Sequence, residues 1–373
     1  MDEHMQEPQK NQVPVYPNDT QKKKRSRWKN VLLVLVEVSV LLIAVGILYV
    51  VTRTTEEVER REIDEEQIII NEEVVQQIEE EEEVEEKGYR NIALFGVDAR
   101  DGELGRGTRS DSIIIASINQ DTQEIKLISI FRDTFLNLGN DTYNKCNAAY
   151  AQGGPEQAIN MLNANLDLDI TDYVTIGFAG LIDAVDALGG VEMEITDAEI
   201  SHLNNYQLCM AEELHVDYIP VEHSGKQLLN GMQATAYCRI RYTKGDDFKR
   251  AERQRNVLTA MIGKAKNASV GELTDMVDAV LPQVETSLNV NEVLSVLGSV
   301  AGYSVVTSDG FPFDGSRVGA NVGSKGSCVI PYDLEENVKL LHKALYPEKT
   351  YAPSRRVQDI SDEIERLTEE YIE

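Results

Sequence analysis

Basic residues are scarce in this chain: 36 Lys and Arg stand against 64 Asp and Glu over 373 residues, leaving a formal net charge of −28. Cysteine is scarce too, at four, so disulfides are permitted but not demanded. Cys146 and Cys238 sit in apolar or motif-like runs and read as buried thiols. Cys209 and Cys328 lie in loop-like surroundings and are the candidate oxidised pair. His202, Cys209, His215 and His223 match no zinc-ligand spacing. The sequence lacks internal repeats and any helix-turn-helix or zinc-finger pattern, which excludes repeat arrays and the common DNA-reading modules.

One long hydrophobic run is present, residues 31–51, interrupted only by Glu37, Ser39 and Gly46. At about 1.5 Å per residue it is long enough to cross the hydrocarbon layer as a helix. Lys22–Arg25, Arg27 and Lys29 precede it, and only Arg53 follows before an acidic run. The positive-inside bias therefore predicts a cytoplasmic segment at 1–30, a single transmembrane helix at 31–51 and an extracytoplasmic remainder, the whole anchored in the cell membrane. Residues 56–86 hold sixteen acidic and two basic residues, a net of −14 and half of the whole chain's charge. Residues 52–88 are thus expected to be an acidic, partly helical stalk that spaces the domain from the bilayer.

Against that background the position of the few cations is informative. Seven of the 36 fall within residues 239–255: Arg239, Arg241, Lys244, Lys249, Arg250, Arg253 and Arg255. Arg239 and Arg241 are two apart, so in an extended segment they point the same way. Arg250, Arg253 and Gln254 are three and four apart, so on a helix they share a face. Guanidinium groups offer planar forks of donors suited to phosphate oxygens. A solvated helix face with ion pairs is the competing reading of the same residues.

From Tyr89 onward short β-rich runs appear at Asn91–Val97, Ser112–Ile118 and Glu124–Ile130, the last two joined by a turn at 119–123. Gly153-Gly154-Pro155 opens a helix through Leu166. A strand at 173–178, a helix at 179–188 stopped by Gly189-Gly190 and a strand at 191–195 follow. Phe248 to Lys266 predicts a long helix with Leu258, Met261 and Ile262 inward. Residues 271–301 read as helical, 303–331 as short strands, 334–345 as a closing helix and 360–372 as a charged amphipathic helix. The alternation predicts a layered α/β/α domain with helices on both faces of a mixed central sheet.

Two carboxylates stand at strand ends, Asp98 after NIALFGV and Asp111 before SIIIASI. The loop between them is rich in Gly and Arg and contains Arg100 and Arg109, the candidate cofactor contacts. Mg2+, with Mn2+ as an alternative, is commonly held by one or two carboxylates plus phosphate oxygens and water. Simple turn-capping by both Asp is the competing reading. Arg132 follows the third strand, again at a carboxyl edge, where ligands of α/β sheets collect.

The segments GVDAR (96–100), RSDSIIIASIN (109–119), SIFRDT (129–134), NKCNAAYAQGGPE (144–156), VDALGGVE (185–192) and NGMQATAYCRIRYTKGDDFKRAERQR (230–255) resemble, in order and approximate spacing, the LytR-CpsA-Psr family. The resemblance covers about residues 90–266. It implies an enzyme that moves a glycopolymer from an undecaprenyl-pyrophosphate carrier to peptidoglycan through a phosphodiester link, with no nucleic-acid partner. It also implies Asp98 and Asp111 as metal ligands, and Arg132, Arg239, Arg241, Arg250 and Gln254 as pyrophosphate contacts, with Asp247 the acid among them and the candidate base. Phe131 departs from the family, which usually has Pro before that Arg. The implied organisation is a catalytic domain at 89–268, its C-terminal part at 269–350 and a charged helical tail at 351–373. A polyprenyl-pyrophosphate phosphatase, and a non-catalytic envelope scaffold or regulator, are the alternative classes.

Overall fold

Period-2 alternation of β-branched residues puts Ile113 and Ile115 on one side of a strand and Ile114 and Ala116 on the other. Both sides are buried, so the sheet needs a helical layer on each face. The computed structural model describes residues 67–81, 88–98, 104–241 and 245–372. The expected cytoplasmic segment, the transmembrane helix at 31–51, stalk residues 52–66 and 82–87, and Arg100 lie outside the described residues. Among the described residues no helix is long and apolar enough to cross a membrane.

In chain order the elements are α1 (Glu72–Glu81), β1 (Tyr89–Val97), β2 (Ser110–Asn119), β3 (Glu124–Ile130), β4 (Phe135–Asn137), β5 (Tyr143–Lys145) and α2 (Asn147–Leu166). They continue with β6 (Asp172–Ile176), α3 (Phe178–Ala187), β7 (Val191–Ile195), α4 (Asp197–Leu214), β8 (Gly225–Leu229), α5 (Gly231–Arg239) and α6 (Asp246–Ala265). The last are α7 (Val270–Val280), β9 (Val284–Thr286), α8 (Val290–Ser299), β10 (Ser304–Phe311), β11 (Arg317–Asn321), β12 (Ser327–Pro331), α9 (Leu334–Leu345) and α10 (Arg355–Thr368).

The central sheet has six strands in the order β10-β3-β2-β1-β6-β9. β1 is antiparallel to β2 and parallel to β6, while β3 is antiparallel to β2 and parallel to β10. The carboxyl ends of β1, β3, β6 and β10 therefore share one edge with the amino end of β2. One face packs on α2, α9 and α10 through Phe95, Ile113, Ile115, Leu162, Leu341 and Ile360. The other meets α6 through Ile114, Leu127, Leu258 and Ile262. A satellite core joins the antiparallel β7–β8 pair to α4, α5 and α6 through Met193, Leu203, Leu229, Ala236 and Val257. The expected α/β/α layering with a mixed sheet is the observed one.

Several local expectations need correction. The strand at 191–195 forms as expected, but among the described residues it pairs with β8, outside the central sheet. The stretch 271–301 is not continuously helical, because Val284–Thr286 forms an edge strand antiparallel to β6. Arg239 ends a helix rather than sitting in an extended segment. All four cysteines are free: Cys328 is buried in β12 in the first core, whereas Cys209 is exposed on α4. Burial pushes the Cys146 thiol up, and raises Cys238 to about 12, so both stay protonated.

The C-terminal helix docks because Val357, Ile360 and Ile364 form a stripe at three- and four-residue spacing, all buried in the first core. The acidic segment also touches the domain. Asn71 is buried and its amide donates to Asp167, whose carboxylate accepts from Tyr351 Oη at 2.6 Å and the Ser354 amide at 2.8 Å. Ile69 N donates to Asn160 Oδ1 at 2.8 Å. Residues 67–71 are thus tied to α2 and to the approach to α10, and free spacing can come only from other parts of the acidic run.

Glu199 shows how the fold uses one cation of the basic stretch. Its carboxylate completes a capping box with Thr196 at the start of α4 and accepts from Arg253 Nε at 2.7 Å, both side chains being buried. Burial alone would raise the Glu199 pKa, but hydrogen bonds at Thr196 and the Arg253 guanidinium outweigh it and hold it below the usual value. Because the folded value is the lower one, the pair's contribution is present above the unfolded pKa and is lost as pH falls through the folded one. Glu199→Ala should therefore cost about 3–5 kcal/mol at neutral pH by stranding Arg253, with a loss that shrinks in acid. Denaturant titrations of both proteins at neutral and acid pH check this, and equal losses at both would contradict it.

Candidate functional site

The shared sheet edge gathers the charged residues for a topological reason. Asp98 follows β1, Arg132 follows β3, and Asp111 stands near the start of the antiparallel β2. The β1–β2 register shifts here: Gly96 pairs with Ser112 and Val97 with Ser110, so Asp111 is the extra residue of a bulge. Bulges re-aim a side chain. The crossing is tight enough to require glycine, since a Cβ on Gly96 would stand 2.9 Å from Ser112 Cβ.

Arg132 is fixed from behind. Cys146 Sγ donates to the Phe131 carbonyl at 3.2 Å, Thr134 Oγ1 donates to the same oxygen at 2.6 Å, and Asn147 N donates to the Arg132 carbonyl at 3.1 Å. Its Nη1 donates to Asp111 Oδ1 at 2.6 Å. Arg241 Nη2 reaches Asp111 Oδ2 at 3.5 Å, and Arg250 Nη2 donates to the Asp111 carbonyl at 3.4 Å. Asp247 forms the second hub, with Oδ1 3.1 Å from Arg250 Nη1 and 3.7 Å from Arg241 Nε, and Oδ2 3.7 Å from Arg132 Nε. Three guanidinium groups are thus bridged by two carboxylates.

Burial lowers the affinity of Arg132 for its proton, but Asp111 and Asp247 more than compensate and hold its pKa above the ordinary value. For Arg250 burial wins over Asp247, and the value falls to about 10. Both remain cationic at neutral pH. Several donors of the cluster make no hydrogen bond among the described residues: Arg132 Nε, Arg250 Nε and Arg239 Nη1 are buried, and Arg250 Nη1 meets Asp247 Oδ1 only as an ion pair at 3.1 Å. A buried N–H left unpaired is costly, and several on neighbouring arginines mark a place for acceptor oxygens.

Beside these charges lies a cavity of about 490 Å3. One part of its lining is polar: Asp98, Asp111, Arg239, Arg241, Arg250 and Gln254. The rest is apolar, with Leu94, Ile114, Val174 and Ile176 from the sheet, Phe178 and Leu181 from α3, Val257, Leu258 and Met261 from α6, and Met276 and Val280 from α7. The Arg239 guanidinium carbon lies 4.3 Å from the Phe178 ring centroid and 5.5 Å from that of Tyr206, a cation held between aromatic faces. A second, water-sized cavity of about 30 Å3 adjoins Arg132, Asp247, Arg250 and Ser129.

Of the residues singled out from sequence, Asp98, Asp111, Arg132, Arg239, Arg241, Asp247, Arg250 and Gln254 line these two cavities. Arg109 is exposed and lines neither. Arg253 serves Glu199, and Arg255 Nε donates to Ser308 Oγ at 3.0 Å, so both stand outside the site. Lys145 and Asp133 were missed. Lys145 Nζ lies 2.9 Å from Asp133 Oδ1, whose other oxygen is 3.5 Å from Arg132 Nε. Burial would raise Asp133, but Lys145 and Arg132 prevail and hold it below the carboxylate range. The NK that precedes Cys146 carried this signal unread.

The LytR_cpsA_psr family model matches residues 47–324, three quarters of the chain. The chain belongs to that family. It is 31% identical over 226 residues to the polyisoprenyl-teichoic acid–peptidoglycan teichoic acid transferase TagU of Oceanobacillus iheyensis, covering 58% of this chain and 65% of that protein. It is 27% identical over 270 residues to TagV of Bacillus subtilis, a transferase of the same description, covering 70% and 65%. The alignments thus span slightly under two thirds of these curated relatives. The crystal structure of B. subtilis TagV superposes with a TM-score of 0.55 at 27% identity, covering 72% of this chain and all of that one.

Gly96→Ala should push the bulge apart and misdirect Asp111 from the arginine cluster. The expected result is a destabilisation of about 1–3 kcal/mol. Chemical denaturation measures it, and a parent-like midpoint would show that the close approach is relaxed at little cost.

Proposed function

We propose that this LytR-CpsA-Psr protein transfers a phosphate-linked glycopolymer from a polyprenyl-pyrophosphate carrier to peptidoglycan, leaving a phosphodiester link. The observation that carries the proposal is the pairing of unpaired buried arginine donors with an apolar cavity at one sheet edge. A ligand that satisfies both must be strongly anionic at one end and hydrocarbon at the other. A polyprenyl pyrophosphate is such a molecule, and the named relatives are transferases that act on polyisoprenyl-linked teichoic acid. On this reading the domain is extracytoplasmic and anchored by residues 31–51, beside a carrier held in the same bilayer.

In the proposed reaction Arg132, Arg241 and Arg250 bind the pyrophosphate oxygens, exchanging part of their contact with Asp111 and Asp247 for contact with substrate. The prenyl chain enters between α3, α6 and α7. A hydroxyl of the acceptor glycan attacks the phosphorus that bears the glycopolymer, the bond to the bridging oxygen breaks, and prenyl monophosphate leaves. Such transfers depend on positioning and on stabilising charge over the phosphoryl oxygens, which a set of fixed guanidinium groups supplies. Asp247 is the candidate acceptor of the hydroxyl proton, although its oxygens must first loosen one of three arginine contacts.

The donor set fits a hard divalent cation sparingly. No group of three or more His, Cys, Asp or Glu suited to a metal occurs among the described residues. Asp98 and Asp111 do line one cavity, and Mg2+ is commonly content with one or two carboxylates when phosphate and water supply the rest. Asp98 and Asp111 would hold it, and when bound it would neutralise charge on the phosphoryl oxygens.

The deciding experiment uses a soluble form that begins ahead of Gln67, so that the docked segment is kept, with a short-chain lipid-pyrophosphate saccharide and a glycan acceptor. Asp98→Ala and Asp111→Ala are expected to lower transfer by at least about 100-fold with the fold retained. Saccharide phosphate and prenyl monophosphate as the sole products, with water taking the acceptor's place, would overturn the transfer reading. Val257→Trp fills the apolar end and should raise KM for long-chain donors while sparing water-soluble short ones. An equal effect on both donors would remove the cavity from the mechanism.

A further inference from the structure

Arg132 and Asp247 come from distant parts of the chain, and each has a phenylalanine as its immediate neighbour: Phe131 precedes the one and Phe248 follows the other. The two rings meet edge to face, with centroids 4.6 Å apart and planes at 82°. Arg317 of β11 lies over both, its guanidinium carbon 4.1 Å from the Phe248 centroid and 5.1 Å from that of Phe131. Arg317 is itself fixed, with Nη1 donating to the Pro312 carbonyl at 2.7 Å and Nη2 to Asp314 Oδ1 at 3.1 Å. Gly310 of β10 makes the space, since a Cβ there would stand 2.3 Å from Phe131 Cζ.

We propose that Arg317 and the Phe131–Phe248 pair form a clamp that positions the Asp247 carboxylate against Arg132. Arg317 lines neither cavity of the site, so it acts through the rings and not on a bound ligand. The clamp is needed where it stands. Asp247 and Phe248 lie in the first turn of α6, where Phe248 N is held only by a three-residue bond to the Gly245 carbonyl at 3.1 Å, short of the ladder that stiffens a helix interior. The Asp247–Arg132 contact is long, at 3.7 Å, and with both side chains still partly exposed the pair alone holds its geometry weakly. Tying the residue beside each partner into one aromatic contact fixes both backbones at once. A planar guanidinium can stack on the rings while its N–H groups still donate to the Pro312 carbonyl and Asp314, which gives the position a preference for Arg over Lys. Because β10 and β11 deliver it, the clamp also gives the C-terminal part of the chain a role in the site.

The proposal rests on the reading of Arg132 and Asp247 as working residues of a transferase, and its test separates the two ideas. Crystals of full-length Arg317→Met and Phe248→Leu should show the Asp247 carboxylate drawn away from Arg132 Nε, beyond the present 3.7 Å. In transfer assays both variants should lose about tenfold in kcat with KM for the donor changed by no more than about twofold. Arg317→Lys should restore little, and Phe248→Tyr, which keeps the ring, should perform better than Phe248→Leu. The loss should vanish in an Asp247→Asn background, because residues acting through one another are not additive. An unmoved Asp247–Arg132 contact, or a full additional loss in that background, overturns the clamp. If the parent transfers nothing, the functional reading falls and the crystal geometry alone decides. If Arg317→Met does not fold, Phe248→Leu carries both arms.

Discussion

Three guanidinium groups held at one sheet edge are the constraint on which the site depends. Two like charges 4 Å apart repel by about 4 kcal/mol at the effective dielectric of a protein surface. Arg132, Arg241 and Arg250 are tolerated together because Asp111 and Asp247 lie between them. With Asp133, which lies 3.5 Å from Arg132 and is held by Lys145, three carboxylates face four cations, and geometry leaves several donors without a hydrogen bond. The remaining imbalance is the affinity for an anion. The nearby elements serve that cluster: the bulge aims Asp111, Cys146 and Thr134 brace the loop that carries Arg132, and α6 delivers Asp247, Arg250 and Gln254 over about two turns.

The apolar cavity follows from the same architecture. Both faces of the sheet are hydrophobic because its strands are buried on both sides. One face is filled by α2, α9 and α10. On the other, α6 packs over β2 and β3, while over β1 and β6 the helices α3, α6 and α7 stand around a space they do not fill. An empty apolar cavity forfeits dispersion contacts and is retained where something enters it. Charge at its edge and hydrocarbon lining within select an amphiphile in one step.

The sequence carried the layered fold well, because strand and helix periods were clean from Ile92 to Ile130 and from Leu334 to Leu345. It carried the polar half of the site for a different reason: charged residues at strand ends stand out against a chain poor in cations. Periodicity failed where a face has two meanings. Val257, Leu258 and Met261 have the spacing of a helix stripe that packs on a core, and spacing does not say whether the opposite side is a side chain or a void. It failed again within the basic stretch. Arg250, Arg253 and Gln254 fall on one helix face by count, yet Arg253 is taken by Glu199, a partner 54 positions away. The strand at 284–286 escaped because three residues between helical segments carry too short a pattern to read.

The acidity of the chain bears on the site in a way that composition alone misreads. Residues 56–86 account for −14 of the net −28, so the remainder still carries −14 and its cations are few. Several of those few are consumed internally, in Arg90 with Asp172, Arg253 with Glu199 and Arg356 with Asp141. An anionic ligand approaching such a surface is repelled over most of it and attracted at one edge. The acidic excess therefore works as selection: it lowers the residence of anions elsewhere on the domain, while the arginine cluster, whose pairs are partly buried, is screened less than the open surface. A broadly basic protein would bind a phosphate-bearing ligand, but also every other polyanion it met. Scarcity of positive charge is what makes its single concentration specific.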